Sequence, residues 1–184
     1  EDYALAKKKF KTDVRFVAGV GIEPKKFDFV MTAANKSALR KTLGLQDTDF
    51  VMIYPAELSK RKRQTWLIKA LKDTLLANPS MHLLLPGKDS LNGQCQALAK
   101  ELHLENNVHF LGFRNDIPRL LTISNVAVSA ARQEGLPVNI MEAMYIGLPV
   151  VATNCRGNAD LVNGKANSHL VATNDSLAVA EAVV

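Results

Sequence analysis

Two carboxylates and a proline mark the part of the chain best suited to chemistry. Glu134 and Glu142 stand eight residues apart in the run Gln133-Glu134-Gly135-Leu136-Pro137-Val138-Asn139-Ile140-Met141-Glu142-Ala143-Met144. Apolar residues 125–128 precede it, and Gly147-Leu148-Pro149-Val150-Val151-Ala152 follows. The pattern reads as strand, loop, helix, strand, with both Glu near the loop–helix junction. In an open α/β sheet that is where ligands bind. Pro137 suits the first helical turn, because its missing N–H would be unpaired there anyway. Eight helical residues advance roughly 12 Å, whereas carboxylates that share a glycosidic bond sit about 5–10 Å apart. The pair therefore holds two parts of one elongated ligand rather than acting as acid and base on one atom. The N–H groups from Leu136 to about Ile140, with the helix dipole, suit an anion such as a diphosphate between them. The plainer alternative is a solvated loop acid and an exposed helix acid, and spacing alone leaves both open.

A second candidate is the basic run Lys60-Arg61-Lys62-Arg63. It follows the apolar run Phe50-Val51-Met52-Ile53-Tyr54, so in a parallel sheet it shares the carboxyl edge with Glu134. Four adjacent cations cannot all point one way, and one or two are expected to face the ligand. Positive charge at a helix start opposes the dipole, which favours a functional reading over a solvated one. Asp47-Thr48-Asp49 has the Asp-x-Asp form of metal-dependent sugar transferases but precedes its strand, at the opposite edge, and reads as a turn. His82, His103, His109 and His169 have no ligand spacing, and no metal is expected. Gly-x-Ser-x-Gly, Walker and zinc patterns do not occur, and no Gly-x-Gly-x-x-Gly follows a strand.

The elements that must position these residues alternate. Strands are expected at 14–20, 50–54, 82–85, 108–111, 125–129, 149–152 and 168–171. Helices are expected at 1–11, 36–43, 64–76, 92–102, from a cap at Asn115 or Asp116 to Ile123, at 137–146, and after Asp175 or Ser176. Short apolar strands between helices argue a Rossmann-like α/β domain, its parallel sheet covered on both faces. The 184 residues fit one domain. Cys95 and Cys155 are isolated, as in a protein of a reducing compartment, and the expected location is cytoplasmic. Of the chain's net charge of +5, the excess lies early: residues 1–72 carry 16 basic and 8 acidic side chains, and residues 73–184 carry 7 and 10. That bias suits a polyanion, an anionic membrane face or a phosphorylated ligand. For Lys7-Lys8-Lys9, Lys25-Lys26 and Arg40-Lys41 a solvated surface is the simpler reading.

These motifs together resemble family 4 retaining glycosyltransferases of the capsule and exopolysaccharide type, which have the GT-B fold. The segment Ser129 to Thr153 resembles the family's donor-site signature. In order along the chain, Gly19-Val20-Gly21-Ile22 with Phe27, Glu57-Leu58-Ser59 with Lys62, Pro86-Gly87, Phe110-Leu111-Gly112 and Arg156-Gly157 through Leu161-Val162 resemble further family motifs, the last of them a turn. The resemblance implies a nucleotide diphosphate sugar, of UDP type, as substrate, with no separate cofactor and no metal at the active site. By it, Glu134 contacts the donor sugar near the reacting carbon and Glu142 binds the ribose. Backbone N–H groups from Gly135 through Leu136 and Pro137 to Val138 hold the diphosphate. Lys62, helped by Arg61, neutralises it, and Phe113 and Arg114 flank the base. It departs at Glu57, where many members have Arg, and at Ala56 and Ser168, where Gly is usual. It also implies that residues 1–184 are the donor-binding domain of a longer enzyme. The amino-terminal domain would take a saccharide or lipid-linked acceptor, so this chain alone transfers nothing. The parent enzyme would work at the inner face of the membrane. The competing readings are a nucleotide-sugar epimerase of the same fold and a module that binds nucleic acid or anionic membrane. The epimerase class lacks the Glu134 to Met144 pattern, and no nucleic acid is expected as a partner.

Overall fold

The computed structural model describes residues 2–15 and 21–183. The expected strand at 14–20 falls largely on residues 16–20, outside the described residues, and 14 and 15 lie in no strand. Six strands form one parallel sheet: β1 (Phe50–Ile53), β2 (Met81–Pro86), β3 (Val108–Gly112), β4 (Val126–Ser129), β5 (Val150–Thr153) and β6 (Ser168–Val171). Their spatial order is β3-β2-β1-β4-β5-β6. The helices are α1 (Asp2–Lys9), α2 (Ala33–Thr42), α3 (Gln64–Ala70), α4 (Lys72–Ala77), α5 (Gln94–Glu101), α6 (Ile117–Thr122), α7 (Val138–Tyr145), α8 (Arg156–Val162) and α9 (Ser176–Val183).

The strands are apolar along their length because both faces are covered. Met52, Tyr54, Leu83, Leu85, Val126 and Val128 point to one core, closed by α3, α4, α5 and α9 through Leu67, Leu71, Leu75, Cys95 and Val179. Val51, Ile53, Leu84, Ala127, Val150 and Ala152 point to the other, closed by α6, α7 and α8 through Leu120, Leu121, Ile140, Ala143 and Val162. The period-2 alternation of a pleated strand distributes them. None of the described helices is long and apolar enough to cross a membrane.

Three elements differ from the sequence reading. The helix expected over 64–76 is two, α3 and α4. Leu71 stands between them, its N–H still donating to the Leu67 carbonyl at 3.0 Å, so the run bends without ending. Residues 156–162, read as a turn, form α8. Arg40, read as solvated surface, instead donates to backbone carbonyls of Gln46, Asp47 and Asp49 at 2.9–3.2 Å and of Ile123 at 2.6 Å. It thereby ties α2 to the amino edge of the sheet.

Candidate functional site

Strand order reverses between β1 and β4, and a Rossmann-like sheet opens a crevice outside the carboxyl ends of those strands. The loop after β1 and the loop after β4 meet there. The Arg132 N–H donates to the Arg61 carbonyl at 3.0 Å. The Glu134 carboxylate, 7 % exposed, accepts from Lys62 Nζ and from Arg61 Nη1, the latter at 3.2 Å. Arg61 Nη1 also donates to the Gln133 carbonyl at 3.2 Å. Lys62 is 11 % exposed and Arg61 50 %, so solvent screens the Lys62 pair far less and that pair dominates.

Buried groups hold this loop in shape. Tyr54 is fully buried, and its hydroxyl donates to the Lys62 carbonyl at 3.1 Å. Burial pushes its phenol well up, which keeps it a donor. Gln64, also fully buried, donates to the Glu57 carbonyl at 2.9 Å and accepts the Ser59 N–H at 3.2 Å. Arg63 carries a left-handed backbone (φ 59°) that starts α3 and donates to the Thr173 carbonyl at 2.7 Å. Its guanidinium lies 4.6 Å from the Trp66 ring centroid. The cations of this run therefore part: Arg61 and Lys62 face Glu134, Arg63 turns toward β6, and Lys60 is exposed.

Pro137 caps α7 and does not enter its first turn. The first bonds run from the Ile140 and Met141 N–H groups to the Pro137 carbonyl at 3.1 and 3.2 Å. The expected run of open helix-start N–H groups thus ends at Asn139, because Ile140 already has its acceptor. The adjoining Gly135 and Leu136 complete the bend into the helix. Behind it, the Gly157 N–H donates to the Glu134 carbonyl at 3.1 Å. A Cβ at Gly157 would lie 2.6 and 2.7 Å from the Gly135 and Glu134 carbonyl oxygens, so α8 reaches this loop only with glycine there. The sequence reading assigned no structural task to Gly157.

A pocket of about 410 Å³ extends from this crevice along the start of α7. Pro55, Ala56, Phe113, Ile117 and Val138 give it apolar walls, and Glu142, Asn139, Arg114 and Lys88 add polar groups. Gly87 lets two loops touch: a Cβ there would sit 1.9 Å from the Ala56 carbonyl oxygen. Glu142 is half-buried, and burial raises its carboxyl above the ordinary glutamate range while Lys26 pulls it down. Arg114 is clasped by Asp116, Nε to Oδ1 at 2.7 Å and Nη2 to Oδ2 at 2.6 Å. This hydrogen-bonded pair raises the arginine and lowers the aspartate. Asp116 stands at the cap of α6 but spends its side chain on Arg114. Lys88, absent from the sequence reading, lies 5.6 Å from the Phe113 ring centroid. Glu57 accepts the Ser90 hydroxyl at 2.5 Å. Among the described residues no three His, Cys, Asp or Glu cluster as metal ligands.

The strand order and the loop crossing at its switch point define a Rossmann-like α/β class of domain. Residues 35–184 match the family model "Glycosyl transferases group 1", and the chain belongs to that family. It is 32 % identical to the putative glycosyltransferase EpsD of Bacillus subtilis, across 100 % of this chain and 48 % of the relative. It is 31 % identical, over 84 % of this chain and 40 % of the relative, to an Escherichia coli UDP-Gal:alpha-D-GlcNAc-diphosphoundecaprenol alpha-1,3-galactosyltransferase. The crystal structure of Anabaena Alr3699/HepE in complex with UDP and glucose superposes with a TM-score of 0.78 at 30 % identity, covering 89 % of this chain and 44 % of that one. The chain thus spans about half the length of the relatives it matches. The fold is that of GT-B glycosyltransferase structures.

Proposed function

We propose that this chain is the donor-binding domain of a retaining glycosyltransferase that moves a hexose-type sugar from a UDP-sugar to a saccharide or lipid-linked acceptor in surface polysaccharide synthesis. The observation that carries the reading is the Glu134–Lys62–Arg61 cluster just ahead of α7, with a pocket lined by Val138, Asn139 and Glu142 along the first turns of that helix. The diphosphate lies over the N–H groups at Gly135, Leu136 and Val138, with Pro137 setting the bend. Lys62 and Arg61 face it, and the sugar lies toward Glu134. The ribose hydroxyls donate to Glu142, and the base enters the apolar pocket beside Phe113 and Arg114. When the bond between the anomeric carbon and the diphosphate oxygen breaks, negative charge grows on the diphosphate. The cations and helix-start dipoles stabilise it there, the task a divalent cation serves in other transferases. Glu134 in turn fixes the Lys62 ammonium at that oxygen. Glu57, Ala56 and Ser168 depart from the family pattern, and Lys62 and Arg61 supply the cationic charge that Glu57 does not. The parent enzyme works on the cytoplasmic side of its membrane.

Calorimetric titration of the chain with UDP-, GDP- and ADP-sugars tests this. A UDP-sugar is expected to bind one to one and the others more weakly. Binding of plain oligonucleotides with no nucleotide sugar bound would overturn the proposal in favour of a nucleic-acid module.

A further inference from the structure

A second cavity, of about 880 Å³, shares Glu134 and Gly135 with the candidate donor site but shares no lining residue with the pocket at Glu142. Lys60, Arg63, Arg132 and Arg156 line it. Glu134 is the one acid among its described lining residues, and that carboxylate is already met by Lys62 and Arg61. Lys60, Arg63 and Arg132 take part in none of the ion pairs found among the described residues. Like charges gathered around one cavity repel, and an anion inside relieves that repulsion. Two of the cations sit on held backbone: Arg63 through its left-handed start to α3 and its Thr173 contact, Arg132 through its N–H to the Arg61 carbonyl. A guanidinium has five N–H donors, so the single Thr173 bond leaves Arg63 able to hold phosphate oxygens.

The donor diphosphate already has Lys62, Arg61 and the start of α7, so this further charge exceeds what the donor requires. We propose that the cavity takes a second anion: the phosphate or diphosphate of an acceptor that is a glycosyl phosphate. This rests on the donor reading of the adjoining site. The volume falls within the range of small-ligand sites and leaves room for a sugar beside the phosphate. The phosphate belongs either to a soluble glycosyl phosphate or to a prenyl diphosphate sugar.

The test titrates inorganic pyrophosphate into this chain with UDP saturating. Calorimetry and the fluorescence of Trp66, the sole tryptophan, which lies against Arg63, follow binding. One pyrophosphate is expected to bind per chain with UDP in place. Arg132→Ser weakens it about tenfold or more, for the loss of charge-assisted bonds. The same change leaves UDP affinity within about twofold, and Lys8→Ser, on the exposed α1, alters neither. The proposal is overturned if pyrophosphate displaces UDP one for one, fails to bind beside it, or weakens equally in Lys8→Ser. A glycosyl 1-phosphate and a short-chain prenyl diphosphate sugar are then compared: preference for either identifies the source, and binding of neither overturns the acceptor assignment. If UDP itself does not bind, the donor reading falls. Pyrophosphate titrated alone against the Arg132→Ser and Lys8→Ser chains then decides the cavity.

Discussion

Glu142 sits half-buried on α7, its carboxyl raised by burial and lowered in part by Lys26. A carboxyl raised on folding favours the folded state in its protonated form. Its contribution to stability is full below the ordinary glutamate range and lost as pH rises through the folded value. On the proposed reading, ribose hydroxyls donate to the charged form, so donor affinity runs the other way. Lowering the pH into the range just above that of an ordinary glutamate should weaken UDP binding while adding stability, and parallel calorimetry and thermal melts would read the two trends. Glu142→Ala should cost tenfold or more, about 1.5–3 kcal/mol for bonds to a charged acceptor, and should abolish that pH dependence of binding. Equal UDP affinity in the variant would remove Glu142 from the site. Lys62→Met leaves Glu134, 7 % exposed, with the half-exposed Arg61 alone. A buried carboxylate stripped of its main partner is costly, and about 2–3 kcal/mol of stability should go, with the melting temperature down by about 5–10 °C. UDP affinity should drop with it, whereas Arg61→Ala should lower stability by under about 1 kcal/mol.

The approach of α8 to the Glu134 loop depends on one hydrogen atom in place of a methyl group. Gly157→Ala sets a Cβ against two backbone carbonyl oxygens, neither of which can rotate away as a side-chain end could. We expect a loss of about 1–3 kcal/mol in denaturant unfolding, with weaker UDP binding because Glu134 and Gly135 move. Unchanged stability would mean that the two segments part without cost. At the amino edge, β2 and β3 bring His82 Nδ1 within 3.0 Å of His109 Nε2, and Asp49 lies 3.3 Å from His82 Nε2. Burial, then the neighbouring His82, pushes His109 down to about 4, against a smaller pull from Asp49. The unfolded chain takes up this proton at higher pH than the folded one. Stability should therefore fall as pH drops from the ordinary histidine range toward 4, and His109→Gln should flatten that slope in melts taken across it. This trio shows why contacts between elements, in the site as elsewhere, stayed hidden in the sequence. Local signals, such as apolar runs, the Pro137 bend and the basic run after β1, carried the six strands from β1 to β6, most helices and the shared edge of Glu134 and Lys62. Contacts across elements, such as Gly157 on Glu134, Lys88 on Phe113 and His82 on His109, depend on sheet register, which no single segment encodes.

At the scale of the whole molecule, the Glu134 cluster and the pocket at Glu142 suit holding a donor. Lys62 and Arg61 are paired with Glu134, Glu142 lines the pocket along α7, and Arg114 is clasped by Asp116. On the proposed reading, transfer also needs an acceptor hydroxyl presented to the anomeric carbon and water kept away from it. The chain spans about half the length of its matched relatives, and we assign acceptor closure to the rest of such an enzyme. The purified chain should therefore bind a UDP-sugar and not turn it over. Incubation with radiolabelled UDP-sugar and candidate acceptors, read as transferred label and as released UDP, should match buffer alone. Sustained turnover that disappears in Glu134→Gln would place a complete catalytic centre within these 184 residues. Slow release of free sugar without transfer would instead mean that the bound donor reacts with water, against the expected absence of turnover.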